Sequence, residues 1–361
     1  YTGFSMSDDA EILFARRGPL GLITLNRPQA LNALTLNQVR QLDAKLAEWA
    51  SDRDVSAVVI QGEGDRAFCA GGDVRAVALD GLAHRRGESD GALTRDFFRE
   101  EYTLNRNIYR FPKPYVSLLD GITMGGGKGL SAHGSHRVVT ERVTFAMPET
   151  NIGLFPDVGG SYFLPRLPGE IGVYLSLTGA RIGAADCMDI GFGTHFVPSA
   201  SIPALLADLA AADLPSQEAV DAVLARHGAA AGKPSLPEIR EAIDRCFVYD
   251  RVEDILASLA REQSAWAEDT RATLRRMSPT SLKVTLRQLR EGARLDFEAA
   301  MIMEYRIVQR CMEGHDFFEG IRAQLIDKDR KPRWSPSSVE EVDDSAIAAY
   351  FESLGERDLR F

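Results

Sequence analysis

Hydrophobic positions along the chain change their period twice, and each change marks a different kind of element. Val55–Ile60 is a nearly continuous apolar run, the pattern of a strand covered on both faces, and a strand is expected near Leu20–Leu25. Between them Val39, Leu42, Leu46 and Trp49 recur at intervals of three and four, which places them on one face of a helix. A strand, a helix and a second strand in that order predict a parallel pairing. A further unit begins after Lys113-Pro114, where the predicted strand Tyr115–Leu119 runs into the glycines Gly125, Gly126, Gly127 and Gly129. A short strand pair is expected over 137–147. From about Ser201 the pattern becomes helical. The Ala-rich stretch Pro203–Pro237 reads as short helices punctuated by Pro and Gly, and Val252, Ile255, Leu256 and Leu259 form an apolar stripe. The expected fold class is therefore α/β over 7–200, followed by a mainly helical region over 201–361.

Charge narrows the range of partners. The formal net charge is -10, so the chain as a whole repels nucleic acid and anionic membrane surfaces, and a phosphorylated ligand needs a local basic patch. No run of about 18 apolar residues is present, and Ser5–Asp9 is acidic where a targeting segment is basic. These features read as a soluble cytoplasmic protein, with Tyr1–Ser5 left out of fold reasoning. Cys69, Cys187, Cys246 and Cys311 show no CxxC spacing and the six histidines no HExxH. Neither a metal, a disulfide framework nor a separate cofactor is expected.

Two glycine turns carry candidate chemistry. Phe68-Cys69-Ala70-Gly71-Gly72-Asp73-Val74 and Ile122-Thr123-Met124-Gly125-Gly126-Gly127 each follow a strand and open a helix. Glycine lets backbone N–H groups approach a ligand, and one donor from each turn can converge on a carbonyl oxygen as an oxyanion hole. Either turn alone also serves simple close packing. Gly127-Lys128-Gly129 lacks the Ser or Thr of a triphosphate loop, and the cluster lacks the GxGxxG of a dinucleotide site. Glu149 in Met147-Pro148-Glu149-Thr150 and Asp157 in Phe155-Pro156-Asp157-Val158-Gly159-Gly160 are two acids among apolar residues. Burial would raise a carboxyl pKa toward proton-transfer range, whereas exposure or helix capping would make the same acids structural. A GxSxG elbow is missing, so Ser131 reads as a packing residue, and His133, His136, His315 and Asp316 read as structural.

Ile23-Thr24-Leu25-Asn26-Arg27-Pro28 with Leu31-Asn32-Ala33-Leu34, then the 68–73 turn, then the 125–127 turn, resemble the enoyl-CoA hydratase/isomerase (crotonase) superfamily in order and spacing. The resemblance implies a crotonase-like spiral of ββα units that binds acyl-coenzyme A, with the oxyanion donors at Gly72 and Gly126. Hydratases of that family use two glutamates. One of those positions is Gly129 here and the other is Glu149, while Asp157 stands where many hydratases carry glycine. That combination, with Phe97–Tyr102, Met277–Lys283, Met303–Arg306, Gly314–Phe317 and Asp327–Asp329, resembles the 3-hydroxyisobutyryl-CoA hydrolase branch.

The branch implies hydrolysis of a short 3-hydroxyacyl-CoA thioester in valine breakdown, with substrate contacts at Glu101, Gly126, Glu149 and Asp157. Glu149 would act as general base or nucleophile, Asp157 would orient it or the water, and Glu101 would accept from the acyl 3-hydroxyl. Arg75 and Lys328 are candidate partners of the coenzyme A phosphates. Arg85 and Arg86 lie in a Gly- and charge-rich segment that reads as a covering loop. A homo-oligomer is compatible with the family. An enoyl-CoA hydratase or isomerase, and a non-catalytic acyl-CoA-binding protein, are the alternative readings.

Overall fold

The computed structural model describes residues 10–361, and the acidic Ser5–Asp9 stretch lies outside them. The chain forms two compact units built from interleaved segments. The first takes residues up to Gly72, Asn107–Phe145 and Gly183–Lys233; the second takes Asp73–Arg106, Ala146–Ile182 and Pro234–Phe361. A division at residue 200 follows helix content instead, since every helix-rich stretch after the strand His195–Phe196 is free of further strands.

The first unit is organised by a six-stranded sheet of β1 (Ile12–Arg17), β2 (Leu20–Leu25), β3 (Ala57–Gly62), β5 (Tyr115–Leu119), β7 (His136–Val139) and β9 (His195–Phe196), in that spatial order. Only the β1–β2 pair is antiparallel; β2 through β9 run parallel. A smaller sheet orders β4 (Ala67–Cys69), β6 (Ile122–Met124) and β8 (Thr144–Ala146). The predicted strand at 55–60 forms two residues later, at Ala57–Gly62.

Both faces of the large sheet are covered, which is why its strands read as unbroken apolar runs. On one face Leu20, Leu22, Ala57, Val59, Val116, Leu118 and Val138 pack with Leu205, Leu209, Val220 and Leu224 from the helices Ile202–Ala211 and Gln217–His227. Those helices are the short ones expected from the Ala-rich stretch. Trp49 of the helix Leu36–Ser51 packs on Gly21, where a Cβ would stand 2.7 Å from the indole ring. That helix begins at Thr35 in a capping box with Gln38, which satisfies two donors of its first turn.

The second unit is mainly helical among its described residues. The segment expected to be a covering loop is mostly helix: Val74–Arg85 runs to a short turn at 86–91 and Ala92–Tyr109 follows. Arg85 is anchored there, donating to the carbonyls of Met312 and Gly314 at 2.8 Å each and stacking 4.0 Å over Phe318. No helix of the described residues is long and apolar enough to cross a membrane.

Candidate active site

Within the first unit, β4 and β6 lie side by side and parallel, so the two glycine turns leave the same end of the small sheet. The first turn is braced from Leu31-Asn32-Ala33-Leu34. Ala70 N donates to Leu31 O at 3.0 Å, Leu34 N donates to Gly71 O at 2.9 Å, and Leu34 bridges Gly72. Asn32 is fully buried, and its Nδ2 donates to the carbonyls of Glu63 and Ala67 at 3.0 and 2.9 Å. It thus ties this motif to β4, and a buried amide so satisfied fixes the turn's direction.

Gly71 has φ 123°, a conformation that side-chain-bearing residues rarely adopt. A Cβ there would lie 3.6 Å from Met124 O and 3.8 Å from Gly126 N, so the two turns are in van der Waals contact. Gly126 opens the helix Gly126–Ser131, where its N–H has no partner inside the helix. At Gly127 a Cβ would overlap the Cys69 carbonyl, so only glycine allows this approach. Ser131 Oγ donates to Gly127 O at 2.8 Å, the packing role expected of it.

Within the second unit all three acids are buried. Glu101, Glu149 and Asp157 are 2%, 5% and 5% exposed, far from the solvated faces that acids normally occupy. Glu149 starts the 3-10 helix Glu149–Ile152, and its carbonyl accepts from Leu154 N at 3.0 Å. Gly153 and Gly320 let that short helix approach the helix Asp316–Ile321, since a Cβ at either would overlap backbone of the other. The Asp157 carboxylate accepts from Tyr102 Oη at 2.7 Å. Burial first, and then the charge of Asp157, hold the Glu101 carboxyl well above the usual range, which keeps a proton on it. Burial likewise lifts Tyr102, reinforced by the charges of Asp157 and Glu304, so its hydroxyl stays a donor.

The turn carrying Asp157 is held by two C-terminal helices. Glu304, fully buried in Phe297–Glu313, accepts from Gly159 N at 2.8 Å, from Ser161 N at 2.9 Å and from Ser161 Oγ. Gln288 of Pro279–Gly292 donates from Nε2 to Pro156 O at 2.6 Å. Sequence reasoning gave no role to Tyr102, Gln288 or Glu304. Their signal was a polar residue inside an apolar helical face, such as Glu304 among Ala300, Met301, Ile307 and Val308. Asn105, one helical turn beyond Glu101, is also fully buried. Both its amide atoms and Glu101 Oε1 lack hydrogen-bond partners among the described residues.

The structure thus brings Gly71, the neighbour of Gly72, against Gly126 and Glu101 toward Asp157, each within one unit. The side chains of Arg75 and Lys328 are exposed and make no hydrogen bond or ion pair with another described residue. His315 and Asp316 are structural, as expected. His315 Nε2 pairs with Arg333 O at 3.0 Å, and Asp316 accepts from Ser278 Oγ at 2.6 Å and from Ser335 N at 2.9 Å. All four cysteines are buried, and none of them forms a disulfide. Among the described residues no three His, Cys, Asp or Glu side chains are grouped to hold a metal.

Paired glycine turns in a parallel β/α unit and a buried carboxylate group agree with one family. The chain belongs to the enoyl-CoA hydratase/isomerase family, whose sequence model matches residues 20–351. It is 50% identical over 365 residues to the mitochondrial 3-hydroxyisobutyryl-CoA hydrolase of Danio rerio, covering 99% of this chain and 94% of that protein. Two solved structures share the fold at nearly full length. A carnitinyl-CoA dehydratase from Mycobacterium thermoresistibile has a TM-score of 0.90 at 41% identity, covering 98% of this chain and 99% of that one. An enoyl-CoA hydratase from Rhodobacter sphaeroides has a TM-score of 0.89 at 43% identity, covering 98% and 100%. The cytoplasmic assignment is corrected by the Danio rerio relative, which is mitochondrial. That assignment leaned on the acidity of Ser5–Asp9, and local charge there carries no information about a compartment.

Proposed function

We propose that this protein hydrolyses a short 3-hydroxyacyl-CoA thioester, 3-hydroxyisobutyryl-CoA in the first place, to the free hydroxyacid and coenzyme A. The observation that carries the reading is the 50% identity over 99% of the chain to a hydrolase of that name. Such a reaction belongs in valine breakdown, where this thioester arises.

In the proposed mechanism the Gly72 and Gly126 N–H groups stabilise the negative charge that develops on the thioester oxygen. Each such donor is worth about 2.7–4 kcal/mol of barrier. Glu149 takes a proton from the attacking water, or itself attacks the carbonyl carbon and expels the thiolate as an anhydride forms. Hydrolysis in 18O-labelled water separates the two routes, because only the anhydride route leaves label in Glu149. Asp157 orients the attacking group. Glu101, protonated by its surroundings, binds the acyl 3-hydroxyl and serves as donor or acceptor.

Hydratase names among the solved relatives raise the rival reading. Hydration in this family is run by two glutamates, and position 129 is glycine in this chain. The test is thiol release from 3-hydroxyisobutyryl-CoA beside hydration of crotonyl-CoA, with wild type and Glu149→Gln. Release that disappears in the folded variant, without hydration, supports the hydrolase; hydration without thiol release refutes it.

A further inference from the structure

Within the second unit a cleft of about 1170 Å³ is lined by Arg181, Arg275, Arg276, Arg330 and Arg333, with Trp334 beside them and no aspartate or glutamate in its wall. Five arginines around one cleft are unexpected in a chain of net charge -10. Like charges brought together without acids repel one another, and the arrangement is stabilised by an anionic ligand. Among the described residues Arg181, Arg275, Arg276 and Arg330 have no carboxylate within 4.0 Å, although acids lie close by in sequence. Those acids are engaged elsewhere. Arg322 binds Glu319 through two nitrogens at 2.9 and 2.8 Å, and also takes Asp327 and Asp329 at 2.7 Å each. Arg333 stands 3.9 Å from that same Glu319, which Arg322 holds by its two nitrogens.

Two details give the cleft a defined shape. Trp334 Nε1 donates to Arg276 O at 2.9 Å, which fixes the indole against the paired arginines. Glu319 accepts from Arg333 N at 2.8 Å and so holds the backbone of the 330–334 stretch. Guanidinium groups match phosphate oxygens in pairs, and an indole offers a flat apolar face to a base. At about 1170 Å³ the cleft stands a little above the roughly 300–1,000 Å³ of small-molecule sites, which leaves room for one nucleotide. The negative total charge disfavours a nucleic-acid strand.

We propose that this cleft binds a purine nucleotide carrying two or more phosphates, with the arginines on the phosphates and Trp334 against the base. Such a ligand has two sources: the phosphoadenosine end of the thioester substrate itself, or a separate nucleotide. Pro148 and Asn151 also line the cleft. They flank Glu149 in sequence, so an occupant touches the segment that carries it.

Adenosine 3′,5′-bisphosphate, adenosine and inorganic phosphate are titrated calorimetrically into wild type, Arg275→Glu/Arg276→Glu and Arg181→Gln, with folding checked by circular dichroism. The bisphosphate is expected to bind wild type at least about tenfold more tightly than adenosine, and the charge reversal to weaken it about tenfold or more. Arg181→Gln weakens it less and keeps the test open if the double variant does not fold. Equal binding by wild type and both variants, or no binding of the bisphosphate by wild type, overturns the proposal. With binding in hand, a bisphosphate that raises KM for the thioester at unchanged kcat identifies the substrate's own nucleotide end, and one that leaves KM unchanged identifies a separate ligand. Because binding is read without turnover, its failure is distinct from failure of the hydrolase reading.

Discussion

Replacing Tyr102 by Phe removes one atom from the buried carboxylate group and little else. The ring stays where Phe98 and Tyr305 meet it edge-on at 6.1 and 6.4 Å, so no cavity contributes. What is lost is the 2.7 Å hydrogen bond to Asp157, between two buried groups of which one is charged. Hydrogen bonds to charged groups contribute about 1.5–3 kcal/mol, and the upper half of that range applies where water cannot replace the donor. Urea unfolding of Tyr102→Phe is therefore expected to show a loss of about 1.5–3 kcal/mol. If Asp157 is positioned for the reaction by this bond, the same energy is missing from the transition state, and kcat for thiol release falls about 10- to 150-fold. In a cycle with Asp157→Ala, which removes the acceptor, the double variant should lose little beyond Asp157→Ala alone, because the shared bond is broken once. A Tyr102→Phe enzyme within about 0.5 kcal/mol of wild type and with unchanged kcat refutes the argument.

Three further outcomes are expected. Gly127→Ala places a methyl group into the Cys69 carbonyl, and overpacking of this kind costs about 1–3 kcal/mol; a variant as stable as wild type in urea, with unaltered thiol release, contradicts the close approach of the two turns. Glu101 holds its proton above the ordinary glutamate value of 4.5, so the folded chain binds a proton that the unfolded chain has released. Its share of stability is fully present below 4.5 and falls as pH rises toward the folded value. Wild type should therefore lose stability relative to Glu101→Gln between pH 4.5 and neutrality, and parallel stability curves speak against a protonated Glu101. Glu304→Ala strips the acceptor from Gly159 N, Ser161 N and Ser161 Oγ and is expected to lower stability by about 3–5 kcal/mol; Glu304→Gln, which keeps one carbonyl oxygen, should recover part of it in the same urea titration.

Elements set by local pattern were legible in the sequence. The strands at 20–25 and 115–119 form over those residues because their apolar runs meet helices on both faces, a demand that any neighbour in the run must satisfy. The glycine turns were legible for a related reason. A left-handed φ at Gly71 and a backbone contact at Gly127 tolerate one residue type, so the requirement is written directly at the position. What holds the carboxylates is written nowhere locally. Tyr102 reaches Asp157 across 55 positions and Glu304 reaches Ser161 across 143, and nothing short of the folded chain reports either pairing. The arginine cleft is the extreme case. Arg181, the 275–276 pair and the 330–333 stretch each look like ordinary solvated charge, and only their assembly and the diversion of the neighbouring acids to Arg322 give them meaning.

The distribution of charge among the buried acids bears on why a hydroxylated acyl group suits this enzyme. Glu101 and Asp157 are close enough that the charge of one raises the pKa of the other, and water is too scarce there to carry both charges. Tyr102 donates to Asp157, and burial together with the charge of Asp157 raises the Glu101 carboxyl. A protonated carboxyl can donate as well as accept, and Glu101 Oε1 has no partner among the described residues. A 3-hydroxyl supplies both a donor and an acceptor to such a group. If Glu101 meets the acyl 3-hydroxyl as proposed above, an acyl chain without that hydroxyl leaves the buried oxygen unsatisfied at about 1–3 kcal/mol, which disfavours it without any steric exclusion. Hydrolysis under this reading needs one basic carboxylate, Glu149, and does not need the second glutamate that hydration requires at position 129.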